Sequence, residues 1–252
     1  MLRHTGQKRS YRHNMRLAIL LCLNAGFINA AGFLAFSVLT TNVTGHAALL
    51  AVNMATMNFR ATRMVALWLF LFLAGAFLSS FYISAVGRNK SFAYTMPIVF
   101  IIVVLLFVAF FGHHYNNTLP ETEYFAGSLL FSMGIQNAMV SMISGSVVRT
   151  THLTGMFTDL GIDLSEAVHS FRTPNAITKR RIILRLAIIS SFLLGGILGS
   201  FMFLQIRFAA FYAPVGILVI ALFYDYFRIK ITRAIFRGKV PGQKQIIISG
   251  QD

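Results

Sequence analysis

The stretch TTNVTGH (40–46) decides the fold, because the chain repeats it as TTHLTGM (150–156). These two stretches, here named the first and second threonine segments, agree at four of seven positions and lie among strongly apolar residues. Further upstream, GFINA (26–30) corresponds to GIQNA (134–138). Similarity at a constant spacing, here about 110 residues, indicates an internal repeat.

The amino-acid composition indicates that much of the chain lies in a lipid bilayer. Of its 252 residues, 56% are hydrophobic and only 12% are charged. Several apolar runs reach the roughly 18–20 residues that a helix needs to cross a bilayer, and a soluble domain could not cover such runs. We therefore predict an all-α integral membrane protein with six long transmembrane helices. Their predicted bounds are 17–39, 64–86, 95–111, 124–148, 182–206 and 208–227.

Two shorter and more polar helices are predicted between the long ones, at 43–59 and 153–169, each beginning near a threonine segment. The order long, short, long, long therefore occurs twice, which predicts two pseudo-symmetric repeats. If the short helices do not cross the membrane, six spans result and the halves are inverted; if they cross, eight spans result and the halves are parallel. The bias of Lys and Arg toward the cytoplasm does not separate these arrangements. The loop 113–123 has no Lys or Arg and favours six spans.

The net charge of +15 is concentrated near the ends of the chain and in the segment 171–185. Basic residues beside apolar spans are typical of cytoplasmic segments that contact anionic lipid headgroups. No folded basic domain or aromatic-basic motif is present, so nucleic acid is not an expected partner. The predicted organisation is a basic cytoplasmic N-terminus (1–16), a first membrane repeat (17–112), a polar non-cytoplasmic linker (113–123), a second membrane repeat (124–229) and a basic cytoplasmic tail (230–252).

Both short helices carry a polar stripe at helical spacing. In the second helix the stripe holds three of the seven acidic residues of the chain, Asp159, Asp163 and Glu166. The stripe of the first helix consists of Asn42, His46, Asn53, Thr56 and Arg60. Ionisable groups at membrane depth are costly and usually face a cavity or a partner, so the stripes favour a polar cavity whose carboxylates bind a cation or carry protons. Alternatively, each helix lies at the headgroup boundary with its charges in water.

The threonine segments also allow two interpretations. Thr at a helix start caps free N–H groups, and Gly permits a close approach of the backbone. Alternatively, a helix N-terminus at membrane depth holds an anionic group, as in transporters with broken helices. Asn29 and Asn137 either bond neighbouring helices or contact a ligand. The candidate ligand-binding or ion-coupling residues are Asn42, Thr44, Gly45, His46, Asn53, Asn137, His152, Thr154, Gly155, Asp159 and Asp163.

The sequence gives little support for catalysis, metal binding or disulfide formation. The chain has no nucleophile motif, no HExxH motif and no phosphate-binding loop, and His113 and His114 lack further ligands at metal spacing. We therefore predict no catalytic residue, no metal site and no cofactor. The lone Cys22 cannot form a disulfide within the chain. Small residues at Ser191, Gly195 and Gly199 predict close helix packing, either within the chain or in a homodimer.

Three blocks carry a family resemblance. AGFINAAGFLAF (25–36), TTNVTGHAALLA (40–51) and THLTGMFTDLG (151–161) resemble the signature blocks of the YoaK-like family, bacterial inner-membrane proteins catalogued as a domain of unknown function. The resemblance spans nearly the whole chain and implies a multi-pass protein of the bacterial cytoplasmic membrane. It supplies no substrate and no catalytic residue. His46 stands where a small polar residue such as Asn is expected in relatives.

Three functional hypotheses follow. The first is a small-solute or ion transporter or permease, with its site where the two TTxxTG helices meet; the repeat, the polar short helices and the clustered acids favour it. The second is a membrane enzyme acting on a lipid-type substrate, with His46, His152, Asp159 and Asp163 in acid–base roles. In the third, an accessory membrane protein without a ligand, the stripes are solvated faces and the segments are caps. The sequence does not identify a solute or a coupling ion.

Overall fold

The computed structural model describes residues 11–88, 90–116, 118–169 and 175–223, which form helices and turns without a strand. The predicted all-α class is therefore confirmed. The α-helices are α1 (Tyr11–Phe36), α2 (Val43–Ala55), α3 (Phe59–Val86), α4 (Thr95–Phe111), α5 (Leu119–Ser144), α6 (Leu153–His169), α7 (Ala176–Ile206) and α8, described over 212–223. Short 3₁₀ helices are Ser91–Tyr94, Gly112–His114 and Arg207–Phe211. The predicted basic tail, and most of the basic N-terminus, lie outside the described residues.

Helix length separates two classes of element. Five stretches are long and apolar enough to cross a membrane: Ala18–Phe36, Phe59–Val86, Phe92–His114, Pro120–Ser144 and Ala176–Phe223, the last containing α7 and the start of α8. In contrast, α2 has 13 residues. At about 1.5 Å per residue it is about 20 Å long, short of the roughly 30 Å of a hydrocarbon core. Helix α6 has 17 residues and carries the acidic stripe.

Local caps move several helix ends from their predicted positions. Helix α2 stops at Ala55 because Met57 adopts a left-handed φ of 55°, and Asn58 then caps α3 by accepting a hydrogen bond from the Ala61 N–H. Arg60, predicted on the stripe of the first short helix, therefore lies in the first turn of α3, and that assignment was wrong. Helix α5 begins at Leu119 rather than 124, with a proline in its first turn where the lost N–H costs nothing.

Helices α1 and α7 cross at very short distance. A Cβ placed on Gly26 of α1 would meet the carbonyl of Phe192, and one on Gly195 of α7 would meet the carbonyl of Leu23. Small residues allow helix backbones to approach in this way. Gly199 likewise lies against the backbone of α1, so the small-residue pattern of α7 packs within the chain.

Helices α3 and α5 cross in the same manner. A Cβ on Gly75 of α3 would meet the carbonyl of Phe131, and one on Gly134 of α5 would meet the carbonyl of Phe72. Each of the two crossings therefore takes one glycine from either helix. Any side chain at these four positions would force the backbones apart.

Helix directions follow from contacts along the pairs. Asn24 Nδ2 of α1 donates to Gln136 Oε1 of α5 at 2.7 Å, while Phe36, later in α1, stacks on Phe125, earlier in α5. Helices α1 and α5 are therefore antiparallel. The C-terminal part of α7 approaches Phe208, as does Phe36 at the end of α1, so α1 and α7 run parallel.

Helices α3 and α5 also run parallel. Their first turns border one cavity, lined in part by Arg60 and Arg63 from α3 and by Pro120 and Glu123 from α5. The glycine crossing of the same two helices lies further along both of them. The molecule thus has two parallel pairs, α1 with α7 and α3 with α5, that point in opposite directions.

Candidate functional site

The N-terminal ends of α2 and α6 border a shared cavity of about 460 Å³, here named the threonine cavity. The first and second threonine segments line it together with α3, α5 and the turn after α5. The lining residues are Thr41, Asn42, Val43, Thr44, Phe72, Asn137, Ser141, Ser146, Arg149, Thr151, His152, Leu153 and Thr154. Five predicted site residues, Asn42, Thr44, Asn137, His152 and Thr154, are thus brought together.

The first threonine segment reaches the cavity because the chain folds back along α1 after that helix ends. Thr40 lies against Gly32, and the Thr41 N–H donates to Asn29 Oδ1 at 3.0 Å. Asn29 lies seven positions before the end of α1, so the start of α2 is about 10 Å below that end. The Asn42 side chain then caps α2 by accepting from the Gly45 N–H at 3.0 Å. The cap is therefore an asparagine rather than a threonine.

The second threonine segment has fewer contacts of this kind. Asn137, the counterpart of Asn29, lines the cavity, and its Oδ1 is buried without a hydrogen-bond partner among the described residues. Gly155 lies against the ring of His152, where a Cβ would meet the imidazole. Arg149 lines the same cavity and forms neither a hydrogen bond nor an ion pair with any residue that the structure describes. The exposed guanidinium of Arg149 therefore borders the cavity without a counter-charge from the described residues.

The acidic stripe of α6 faces α7 and is paired there with two arginines. Arg181 Nε lies 3.0 Å from Asp163 Oδ1, and its Nη2 lies 2.7 Å from Glu166 Oε2. Arg185 contacts the other Asp163 oxygen, and its Nη2 lies 3.4 Å from Asp159 Oδ2. The Asp163 side chain is only 4% exposed, whereas that of Asp159 is 45% exposed. All three acids of the stripe are thus paired with α7, and none of them lines the threonine cavity.

A second cavity of about 410 Å³ adjoins the first. The two share Ser146, Arg149 and His152 in their linings. Asp159 and Gly155, both predicted site residues, line this second cavity together with Arg181 and Arg185. Arg149 therefore stands between the threonine cavity and a space bordered by the ion pairs of α6 and α7.

His46 and Asn53 lie apart from the threonine cavity. His46 is buried, its Nε2 donates to the Leu39 carbonyl at 2.7 Å, and its ring packs edge-on against Trp68. Burial lowers the pKa of His46 and outweighs the bond to the Leu39 carbonyl, which raises it. Asn53 is half-buried on α2. No cluster of three or more His, Cys, Asp or Glu suited to a metal occurs within the described ranges.

Several residues of the site were missed from the sequence. Ser141 lies one helical turn after Asn137 on α5, so its presence in the lining follows from helical spacing. Arg181 and Arg185 are four residues apart and thus share one face of α7, which the predicted lipid-facing role of 171–185 obscured. No local pattern marks Arg149, which follows the turn that ends α5.

Comparison with known proteins identifies one family. The family model described as "Protein of unknown function (DUF1275)" matches residues 17–224. Neither the curated proteins nor the solved structures include a match to the chain. The family match covers most of the chain and confirms the resemblance carried by its three sequence blocks.

Proposed function

We propose that this chain, which belongs to the DUF1275 family, is a membrane permease whose solute passes through the threonine cavity. The single observation that carries the proposal is the shared lining of that cavity by both threonine segments. A polar cavity of about 460 Å³ bordered by two helix N-termini resembles the sites that transporters form from broken helices. Its hydroxyl and amide groups suit a small polar or ionic solute.

The proposed topology has six spans, with α2 and α6 entering the membrane from opposite faces. In an eight-span arrangement α1 and α5 would run parallel, because three helices separate them and each would cross. Their antiparallel contact, from Asn24 and Gln136 to Phe36 and Phe125, supports six spans instead. With both termini in the bacterial cytoplasm, α2 lies on the outer side and α6 on the cytoplasmic side.

We further propose that the halves form an inverted repeat. The first long helix of each half pairs with the second long helix of the other half, as α1 with α7 and α5 with α3. The paired glycine crossings, Gly26 with Gly195 and Gly134 with Gly75, support this relation. An inverted repeat brings two equivalent helix starts to one axis, which accounts for the position of the cavity.

The alternative of a membrane enzyme has weaker support. Its acid–base candidates Asp159 and Asp163 bind Arg181 and Arg185, and His46 lies against Trp68 away from the cavity. None of the described residues that line the threonine cavity carries a carboxylate.

Cysteine accessibility tests whether water fills the cavity. Cys22 is the sole cysteine and is buried, so a Cys22→Ala background is silent. In that background we expect Thr44→Cys and Thr154→Cys to react with a membrane-impermeant thiol reagent in proteoliposomes. Ile197→Cys, on the exposed apolar face of α7, is the matched control and should not react. Lack of reaction at both threonine positions would exclude the proposed pathway.

Solute flux tests the function itself. Proteoliposomes are shrunk osmotically with a panel of salts and polyols, and their re-swelling is followed by light scattering. Ser141→Trp fills the cavity and should abolish any solute-dependent re-swelling that the wild type shows. Ser190→Trp places the same bulk on an exposed position of α7 and should retain it. Equal re-swelling of both variants and the wild type would contradict passage through the cavity.

A further inference from the structure

We infer that the solute of the threonine cavity is a small anion. The inference rests on the proposed permease function and adds the charge of its substrate. Among the described residues that line the cavity, Arg149 is the one Arg or Lys, and none is an Asp or Glu. It has no hydrogen-bond or ion-pair partner in the described part of the chain.

The three acids of α6 are already paired with arginines of α7. Asp163 contacts both Arg181 and Arg185, Glu166 pairs with Arg181, and Asp159 pairs with Arg185. Of these three acids, only Asp159 lines the second cavity, which it shares with three arginines. The acids that suggested a cation from the sequence alone therefore serve to hold α7 against α6.

A cation in the threonine cavity would meet unfavourable charges. It would face the Arg149 guanidinium and the starts of α2 and α6, where helix dipoles place partial positive charge. An anion gains from the same groups. Arg149 can bind a carboxylate or phosphate oxygen pair, and the side chains of Thr44, Thr154 and Ser141 can donate hydrogen bonds.

The test compares two thiol reagents of similar size and opposite charge. The probe is Cys22→Ala/Ser141→Cys, labelled in proteoliposomes with the anionic sulfonatoethyl or the cationic trimethylammonioethyl methanethiosulfonate. Relative to their rates with a free thiol, we expect the anionic reagent to be favoured by about tenfold at low ionic strength, because the exposed Arg149 guanidinium in the same cavity attracts one reagent and repels the other. Adding Arg149→Gln should abolish the preference, and Arg149→Lys should retain it.

Arg88→Gln is the matched control, because Arg88 is exposed and lies outside both cavity linings. It should leave the tenfold preference unchanged. Equal rates for the two reagents, or a preference for the cationic one, would overturn the anion inference while leaving an accessible pathway. Absence of reaction with either reagent would overturn both, since the proposed function also requires water in the cavity.

Protection gives a second readout that needs no change at Arg149. Sodium formate or sodium phosphate should slow labelling of Ser141→Cys in a concentration-dependent way, and sodium gluconate at the same ionic strength should slow it less, because gluconate is larger. Protection that depends on the cation, with potassium and sodium differing and the anions equal, would contradict an anion site.

Discussion

The two threonine segments have nearly the same sequence, but they are held differently. In the first, Asn29 binds the Thr41 N–H and Asn42 caps Gly45. In the second, neither the buried Asn137 Oδ1 nor the Arg149 side chain, which lines the same cavity, has a partner among the described residues. The first segment is therefore hydrogen-bonded to the helix before it, whereas polar groups beside the second segment line the cavity and can bind a solute.

The helices that follow the segments differ as well. Helix α6 is tied to α7 by the ion pairs of Asp163 with Arg181 and Arg185. At the matching position α2 has Asn53, whose side chain forms no hydrogen bond or ion pair with the described residues. The two segments are thus similar in sequence, while the helices that follow them make different side-chain contacts. We expect the first half to act mainly as a frame and the second half to provide the charge that selects the solute.

The largest expected effect concerns the close glycine crossing that each half contributes to. Gly26→Leu and Gly134→Leu should each prevent folding, because even a Cβ at these positions would meet the backbone of the crossing helix. Overpacking ordinarily costs about 1–3 kcal/mol, and a backbone clash exceeds that range. Monodispersity in detergent size-exclusion chromatography measures the loss. Gly161→Leu, where a Cβ meets open space, is the control. If one glycine variant folds and the other does not, the α1–α7 and α3–α5 crossings do not contribute equally to folding.

The next effect separates the two short helices. Arg185→Leu leaves the buried Asp163 with one partner and should destabilise the protein by about 3 kcal/mol. Asn53→Ala in the first half should change stability by less than about 0.5 kcal/mol. Thermal unfolding in detergent measures both. Similar losses would remove the contrast between α6 and α2.

A smaller difference in stability is expected between variants of Asn29 and of its counterpart Asn137. Asn29→Ala should cost about 1–2 kcal/mol, because the Thr41 N–H loses its acceptor. Asn137→Ala loses no bond from Oδ1 to the described residues and should cost less than about 0.5 kcal/mol. The same thermal assay compares them. If Asn137→Ala is the more destabilising variant, the second segment is held by contacts of its own.

The smallest effect is a pH dependence confined to the first segment. Burial lowers the pKa of folded His46 below the unfolded value of about 6.5, so folding favours the neutral ring. The stability that depends on a neutral His46 ring is present above the unfolded pKa and is lost as the pH falls below it, because the unfolded state then binds the proton more readily. The second segment has Met156 at this position. His46→Met should therefore show a smaller loss of Tm between pH 8 and pH 5 than the wild type. An equal loss would assign the acid sensitivity to other groups.

Much of the fold follows from local sequence. The bounds of α4 and α6 were predicted to the residue, because apolar runs and threonine segments mark them directly. The end of α2 was not, since the left-handed turn at Met57 has no residue that favours it. The sequence also placed Asp159 and Asp163 on one face of a helix. It did not show what that face contacts, because Arg181 belongs to the next helix and only the packing of α6 against α7 brings the two together.

The crosswise pairing of the halves bears on how the protein is made. Helix α1 is synthesised first, but its glycine surface is covered by α7, which follows five other helices. Until α7 enters the membrane, Gly26 and Asn24 must be shielded by lipid, by α5 or by insertion factors. Helix α5, in contrast, finds α3 already present. Membrane assembly therefore closes the α3–α5 pair first, and a ribosome that stops before α7 leaves a product whose first helix lacks its main partner.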